Sequence, residues 1–222
     1  MRGRKILILI IIIVLAGVSI LLMKKNIKTT TTSASSTPLV TNIATSTATP
    51  APTSTPTQSV SQFAEPVQDY KARVTKKPFG IYVTPSNSPI QPERFTGYHT
   101  GSDAEYQDVT SDVPVYAIAD CKIVLSETAS GYGGVLMISF DLNGTTHTAL
   151  YGHIRPSSLP KVGAQYSKGD QMGLLGTGYS TETDGERRHL HFAIRSDNSL
   201  SIKGYVQTQG ELSGWIDPLT IL

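Results

Sequence analysis

The chain has 222 residues and a formal net charge of +2, with 19 Lys and Arg against 17 Asp and Glu. Six of the basic residues lie at or before Lys28, which leaves 19 − 6 = 13 against all 17 acidic residues, or about −4, for the rest. The positive balance therefore belongs to the flanks of one apolar segment and excludes a nucleic-acid footprint, while the single cysteine, Cys121, excludes an internal disulfide.

Residues 6–23 form an apolar run in which only Gly17 and Ser19 are not plainly hydrophobic, long enough to cross a bilayer. The basic Lys24-Lys25-Asn26-Ile27-Lys28 follows where a small-residue cleavage site would be needed, so the run reads as an uncleaved transmembrane signal anchor. Secretion after cleavage is the alternative. Arg2, Arg4 and Lys5 nearly balance Lys24, Lys25 and Lys28, so orientation rests on the signal-like architecture: residues 1–5 as a cytoplasmic tail, everything beyond the anchor outside. Residues 24–62 read as a disordered linker, because from Thr29 to Gln62 there is no charge and little but Thr, Ser, Pro and Ala. Such a tether spans about 30–35 Å on average.

Residues 63–222 suit one domain with a full core. Residues 113–119, 121–126, 135–142, 145–153, 171–175 and 189–195 are rich in Val, Ile, Leu, Tyr and Thr between turn residues and predict strands. Asn143-Gly144 is a type I′ hairpin signal that pairs the third of these with the fourth. No amphipathic helix is predicted between Gly80 and the C-terminus. The expected fold is all-β, built on antiparallel sheet.

Four of the five histidines fall in three short motifs: His99-Thr-Gly-Ser-Asp103, Tyr151-Gly-His153 and His189-Leu-His191. Imidazoles with a carboxylate are the inventory of a mononuclear zinc hydrolase, which uses three protein ligands and leaves a position for water. On a strand His189 and His191 project to one face while Leu190 enters the core. Gly97 and Gly101 flank His99 and allow a bend that brings it round to Asp103. Spacing alone does not decide which of His189 and His191 holds the metal. His147, six residues before His153 and about 20 Å away along an extended strand, is assigned no metal role. Tyr151 shares strand parity with His153, and both a substrate contact and a strand-face role are open to it. Cys121 reads as structural.

The order H-x-x-x-D, then Y-x-H, then Gly173-Leu-Leu-Gly176-Thr-Gly178 and His189-Leu-His-Phe192, resembles the lysostaphin and LytM type of zinc metallopeptidase across roughly residues 77–217. These bacterial enzymes cut peptide bonds in peptidoglycan, in glycine bridges or in links between D-alanine and a diamino acid. The resemblance implies a duplicated-hybrid-motif-like β fold, one Zn2+ held by His99, Asp103 and His191, and His153 and His189 as catalytic histidines that do not bind the metal. The family pattern S-T-G-x-H-L-H-F is interrupted here: Glu182-Thr-Asp-Gly-Glu-Arg-Arg188 separates Ser180-Thr181 from His189, a charged loop expected to border the cleft. Some relatives have lost ligands and regulate other wall hydrolases as binding modules. All five positions are kept here; the alternative is a wall-binding module that regulates other wall hydrolases, either non-catalytic or autoinhibited with residues 63–76 over the cleft.

Overall fold

A computed structural model describes residues 62–222. The expected tail 1–5, membrane segment 6–23 and linker 24–62, Gln62 apart, lie outside the described residues. Among the described residues no helix is long and apolar enough to cross a membrane.

In chain order the elements are α1 (Tyr70–Arg73), β1 (Tyr82–Val83), β2 (Gly97–His99), β3 (Ser102–Glu105), β4 (Pro114–Tyr116), β5 (Cys121–Ala129), β6 (Gly133–Leu142), β7 (Thr145–Ile154), β8 (Gln165–Tyr166), β9 (Gln171–Leu174), β10 (His189–Arg195), β11 (Tyr205–Val206) and β12 (Trp215–Ile216). The main sheet runs β12-β10-β7-β6-β5-β8, with β3 also on β10; β1-β2-β11 and β4-β9 make two small sheets. All strand pairings among the described residues are antiparallel. One edge of β10 is taken by β7, and the other is shared by β3 along His189–Phe192 and β12 along Ile194 and Arg195.

The sheet is covered on both sides, which is why β6 is apolar at nearly every position. Leu136, Ile138, Tyr151, Leu190 and Phe192 enter one core, while Val135, Met137, Leu150, Ala193 and Trp215 enter another. The predicted hairpin forms: Asn143 and Gly144 have φ of 54° and 79°, the left-handed pair that a type I′ turn requires. Residues 189–195 are β10 as expected. The predicted strand 113–119 shortens to β4, because beyond a register shift at Val115/Tyr116 the Ala117 amide donates to Asp170 O and the Ile118 amide to the Tyr151 hydroxyl.

Residues 63–76 do not cover the cleft. Phe63, Val67 and Tyr70 are buried, Phe63 meets Phe140 edge-on at 6.0 Å, the Ala64 amide donates to Ile118 O, and Pro66 O accepts from Tyr116. Their apolar side chains complete the core instead. His147 is a buried strand-face residue whose Nδ1 donates to Arg195 O at 3.0 Å, and Cys121 is half-buried, its thiol pushed up to about 11 by desolvation.

Candidate metal centre

Strand pairing delivers most of the site. The β10–β3 register sets His191 opposite Asp103 and His189 opposite Glu105, and the β10–β7 register sets His191 opposite Gly152. With Leu190 and Phe192 in the core, His189 and His191 turn to the other face, as their spacing predicts. His99 ends β2. Gly97 adopts φ 135°, and a Cβ there would stand 2.5 Å from Val206 O. Gly101 acts differently from the expected bend: its φ is not left-handed, and a Cβ would collide with the Phe192 carbonyl, so glycine lets the chain lie close against β10.

His153 arrives by breaking strand parity. A register shift between Gly134 and Val135 bulges the β6–β7 ladder, and His153 takes φ 62°, a left-handed conformation that costs a non-glycine residue about 1–3 kcal/mol. Tyr151 consequently faces the core, fully buried, its hydroxyl accepting from the Ile118 amide at 3.4 Å. The substrate contact left open for Tyr151 is thus excluded.

His99 Nε2, Asp103 Oδ1 and His191 Nδ1 form a near-equilateral triangle with edges of 3.0, 3.1 and 3.2 Å. Donors about 2.0–2.1 Å from a tetrahedral zinc stand roughly 3.3–3.4 Å apart, so the set fits that ion with a small expansion. His99 Nδ1 donates to Pro78 O at 3.2 Å, which fixes its tautomer and leaves Nε2 a lone pair for a metal. The three ligands are 0, 2 and 3 % exposed in chain order. Desolvation opposes the Asp103 charge, but His99, His189 and His191 around it hold the carboxyl well below its ordinary range.

The other Asp103 oxygen is held by Arg187. Its Nη2 donates to Asp103 Oδ2 at 2.8 Å and to Glu105 Oε1 at 2.7 Å, and its Nε meets both Glu105 oxygens at 2.9 and 3.0 Å. The guanidinium is buried with them and leaves Oδ1 alone to face the two imidazoles. On the far side Lys77 is buried against Glu93 and donates to Tyr205 Oη at 3.0 Å, and the Tyr205 ring lies 5.2 Å from that of His99.

His153 and His189 stand beside the triangle, their ring centroids 4.1 Å apart. Each Nδ1 donates to a carbonyl, that of Tyr132 at 3.0 Å and of Arg187 at 2.9 Å, so each Nε2 keeps its lone pair. His189 Nε2 lies 3.4 Å from Asp103 Oδ2. Burial lowers both imidazoles, His153 to about 3 and His189 well below its ordinary value, so both are neutral bases at physiological pH.

These groups line a cleft of about 300 Å³ together with Phe95, Tyr132 and Tyr205. The charged loop borders it as expected, through Glu186 and Arg187. Arg94 bridges to that loop, with Nε 2.7 Å from Glu186 and Nη2 3.2 Å from Asp184, while Asp184 also accepts from the Gly131 amide. Sequence reasoning gave no individual role to Arg187 and did not place Lys77, Phe95, Tyr132 or Tyr205 in the cleft. Arg187 had a signal, since it shares the alternation of His189 and His191; Lys77, 22 residues before His99, had none in its local sequence.

Residues 97–203 match the model of peptidase family M23. The chain is similar to the solved structure of LytU (24% identity, 72% of this chain and 82% of that one, TM-score 0.42) and to the structure of the SpoIIQ–SpoIIIAH pore-forming complex (19%, 73% and 91%, 0.47). It is also similar to a zinc-containing peptidase from Vibrio cholerae (20%, 60% and 33%, 0.35), of whose chain the match spans a third. Comparison with curated proteins gives no match. Residues 97–203 thus carry the match to peptidase family M23, and within them His99, Asp103 and His191 form the zinc site typical of M23 peptidases.

Proposed function

We propose that the protein is a membrane-anchored zinc metalloendopeptidase that hydrolyses peptide bonds in peptidoglycan outside the cytoplasm. The observation that carries this reading is the meeting, in one cleft, of a three-donor zinc site with two neutral histidines whose Nε2 lone pairs are free of carbonyl partners. His99, Asp103 and His191 hold the metal. A zinc ion bound there supplies Lewis-acid polarisation of an amide carbonyl and activation of water. His153 and His189 take up the proton released from that water and return it towards the amide nitrogen, each turned to the cleft by the carbonyl that fixes its Nδ1–H. Arg187 keeps Asp103 oriented. The family match over residues 97–203 supports the wall substrate, and the apolar run 6–23 followed by a stretch without charge from Thr29 to Gln62 supports a single-pass anchor with the catalytic domain outside.

The test is mass spectrometry of fragments released from purified peptidoglycan by the zinc-loaded protein beside its Asp103→Ala variant. New peptide termini made only by the unaltered protein are the expected result and name the bond. No release across several wall types, with zinc bound, would sink the endopeptidase reading.

A second reading, an enzyme held closed, draws on one observation. The five metal-site and histidine side chains are each at most 4 % exposed, and Arg94 spans from residues 84–96 to Asp184 and Glu186. Under that reading Arg94→Ala releases wall peptides faster than the unaltered protein; equal or slower release removes it.

A further inference from the structure

Tyr132 sits in the turn between β5 and β6 and does two things at once. Its carbonyl receives the His153 Nδ1–H, and its ring packs against His153 and His191 at centroid distances of 5.4 and 5.6 Å. Two glycines make room for that ring. A Cβ on Gly152 would stand 2.5 Å from a ring carbon, and one on Gly204 would stand 2.9 Å from the hydroxyl oxygen. The residue is 8 % exposed and lines the cleft, yet among the described residues its hydroxyl has no hydrogen-bond partner. Phenylalanine would fill the same space without leaving a buried donor unmet, a condition native proteins avoid unless the group has another use.

A second unpartnered atom lies on the same wall. His191 Nε2 is buried with no partner, and His191 Cε1 is 3.8 Å from the point at Gly204 that lies against the Tyr132 hydroxyl. With His191 Nδ1 turned to Asp103 and His99 as a metal ligand, Nε2 is the nitrogen that carries the proton. Both are donors without a partner among the described residues, and the Tyr132 hydroxyl lies at the cleft, where it suits a carbonyl oxygen.

We propose that Tyr132 is a further catalytic residue: its hydroxyl donates a hydrogen bond to the carbonyl oxygen of the scissile amide, and that bond strengthens as the oxygen gains charge. The proposal rests on the reading of this cleft as a peptidase site. No covalent change at Tyr132 is involved, because the phenol stays protonated and lends a proton without transferring it.

The experiment compares the zinc-loaded protein with its Tyr132→Phe variant. Three quantities are read: zinc content with melting temperature, binding of capped phosphinate analogues of glycylglycine and of D-alanyl-diaminopimelate, and the kinetics of wall-peptide release. Phosphinates present tetrahedral, charged oxygens where the amide carbonyl would stand. Tyr132→Phe is expected to keep its zinc, to melt at the same temperature or higher, to bind the better phosphinate about tenfold or more weakly, and to lose about 10²-fold in kcat with KM within about twofold. Equal phosphinate binding by the two proteins, or a melting temperature several degrees lower in the variant, overturns the proposal in favour of a packing role. Absence of phosphinate binding by the unaltered protein overturns it as well. If the unaltered protein binds a phosphinate but releases no wall peptide, the peptidoglycan substrate is wrong, and the binding comparison still decides the role of Tyr132.

Discussion

A buried guanidinium has no water to fall back on, so Arg187 finds its counter-charge in Asp103 and Glu105, and they find theirs in it. Removing one partner of such a group leaves the others uncompensated, which costs about 3–5 kcal/mol. Arg187→Ala is expected to lower stability by that amount in urea unfolding, and Arg187→Lys to recover only part of it, because an ammonium does not span two carboxylates as the planar fork does. A loss under 1 kcal/mol for Arg187→Ala would show that the triad is not held together by charge. The metal ligands and the bases separate by a different pair. Asp103→Ala is expected to lose zinc and activity together, whereas His189→Ala loses activity and keeps most of its zinc; equal metal loss in both, measured on the same samples, would mean that the roles are divided wrongly. Arg187 also shows what single residues disclose in advance. Its place in the charged loop set it at the border of the cleft, but that it would clamp a ligand depended on β3 lying alongside β10, and nothing in 102–105 announces that partner.

At the level of elements, alternation and turn chemistry carried the reading and departures from them hid the rest. Asn143-Gly144 set the β6–β7 hairpin, and the H-L-H-F run set β10, because each is a local rule with one physical cause. Of the two roles left open for Tyr151 the cleft contact fails, because period two holds only along an unbroken ladder; the bulge at Gly134/Val135 and the left-handed His153 change the face within two residues. Residues 63–76 contribute the single turn α1, a few core side chains and isolated backbone bonds, too short a pattern for periodicity to show. The bulged corner also yields an expectation for the glycines around it. Gly152→Ala drives a methyl into the Tyr132 ring, so it is expected to cost about 1–3 kcal/mol. Gly210→Ala, which meets nothing within 4 Å and lacks a left-handed φ, is expected to stay within about 0.5 kcal/mol of the unaltered protein. Similar melting temperatures for the two variants would contradict the tight fit.

For the molecule as a whole, the buried histidines tie stability to pH. His153 is held neutral down to about 3 in the fold and titrates near 6.5 in the open chain, so between those values the unfolded state binds more protons. The stabilisation is complete above about pH 6.5 and is lost as pH falls towards 3; His189 and His191, lowered by the same burial, act in the same direction. Urea midpoints of the metal-free protein are expected to be lower at pH 5 than at pH 7.5, and a midpoint unchanged over that interval would count against neutral histidines in the fold.

The way residues 63–70 enter the core has a mechanical consequence. Force arriving along the chain at Phe63 is borne first by the Phe63–Phe140 ring pair and by the backbone bonds at Ala64 and Tyr116, none of which lines the cleft. The load passes into apolar packing and leaves the zinc ligands out of its path. Were residues 24–62 to act as the proposed tether, tension along it would leave the cleft undisturbed.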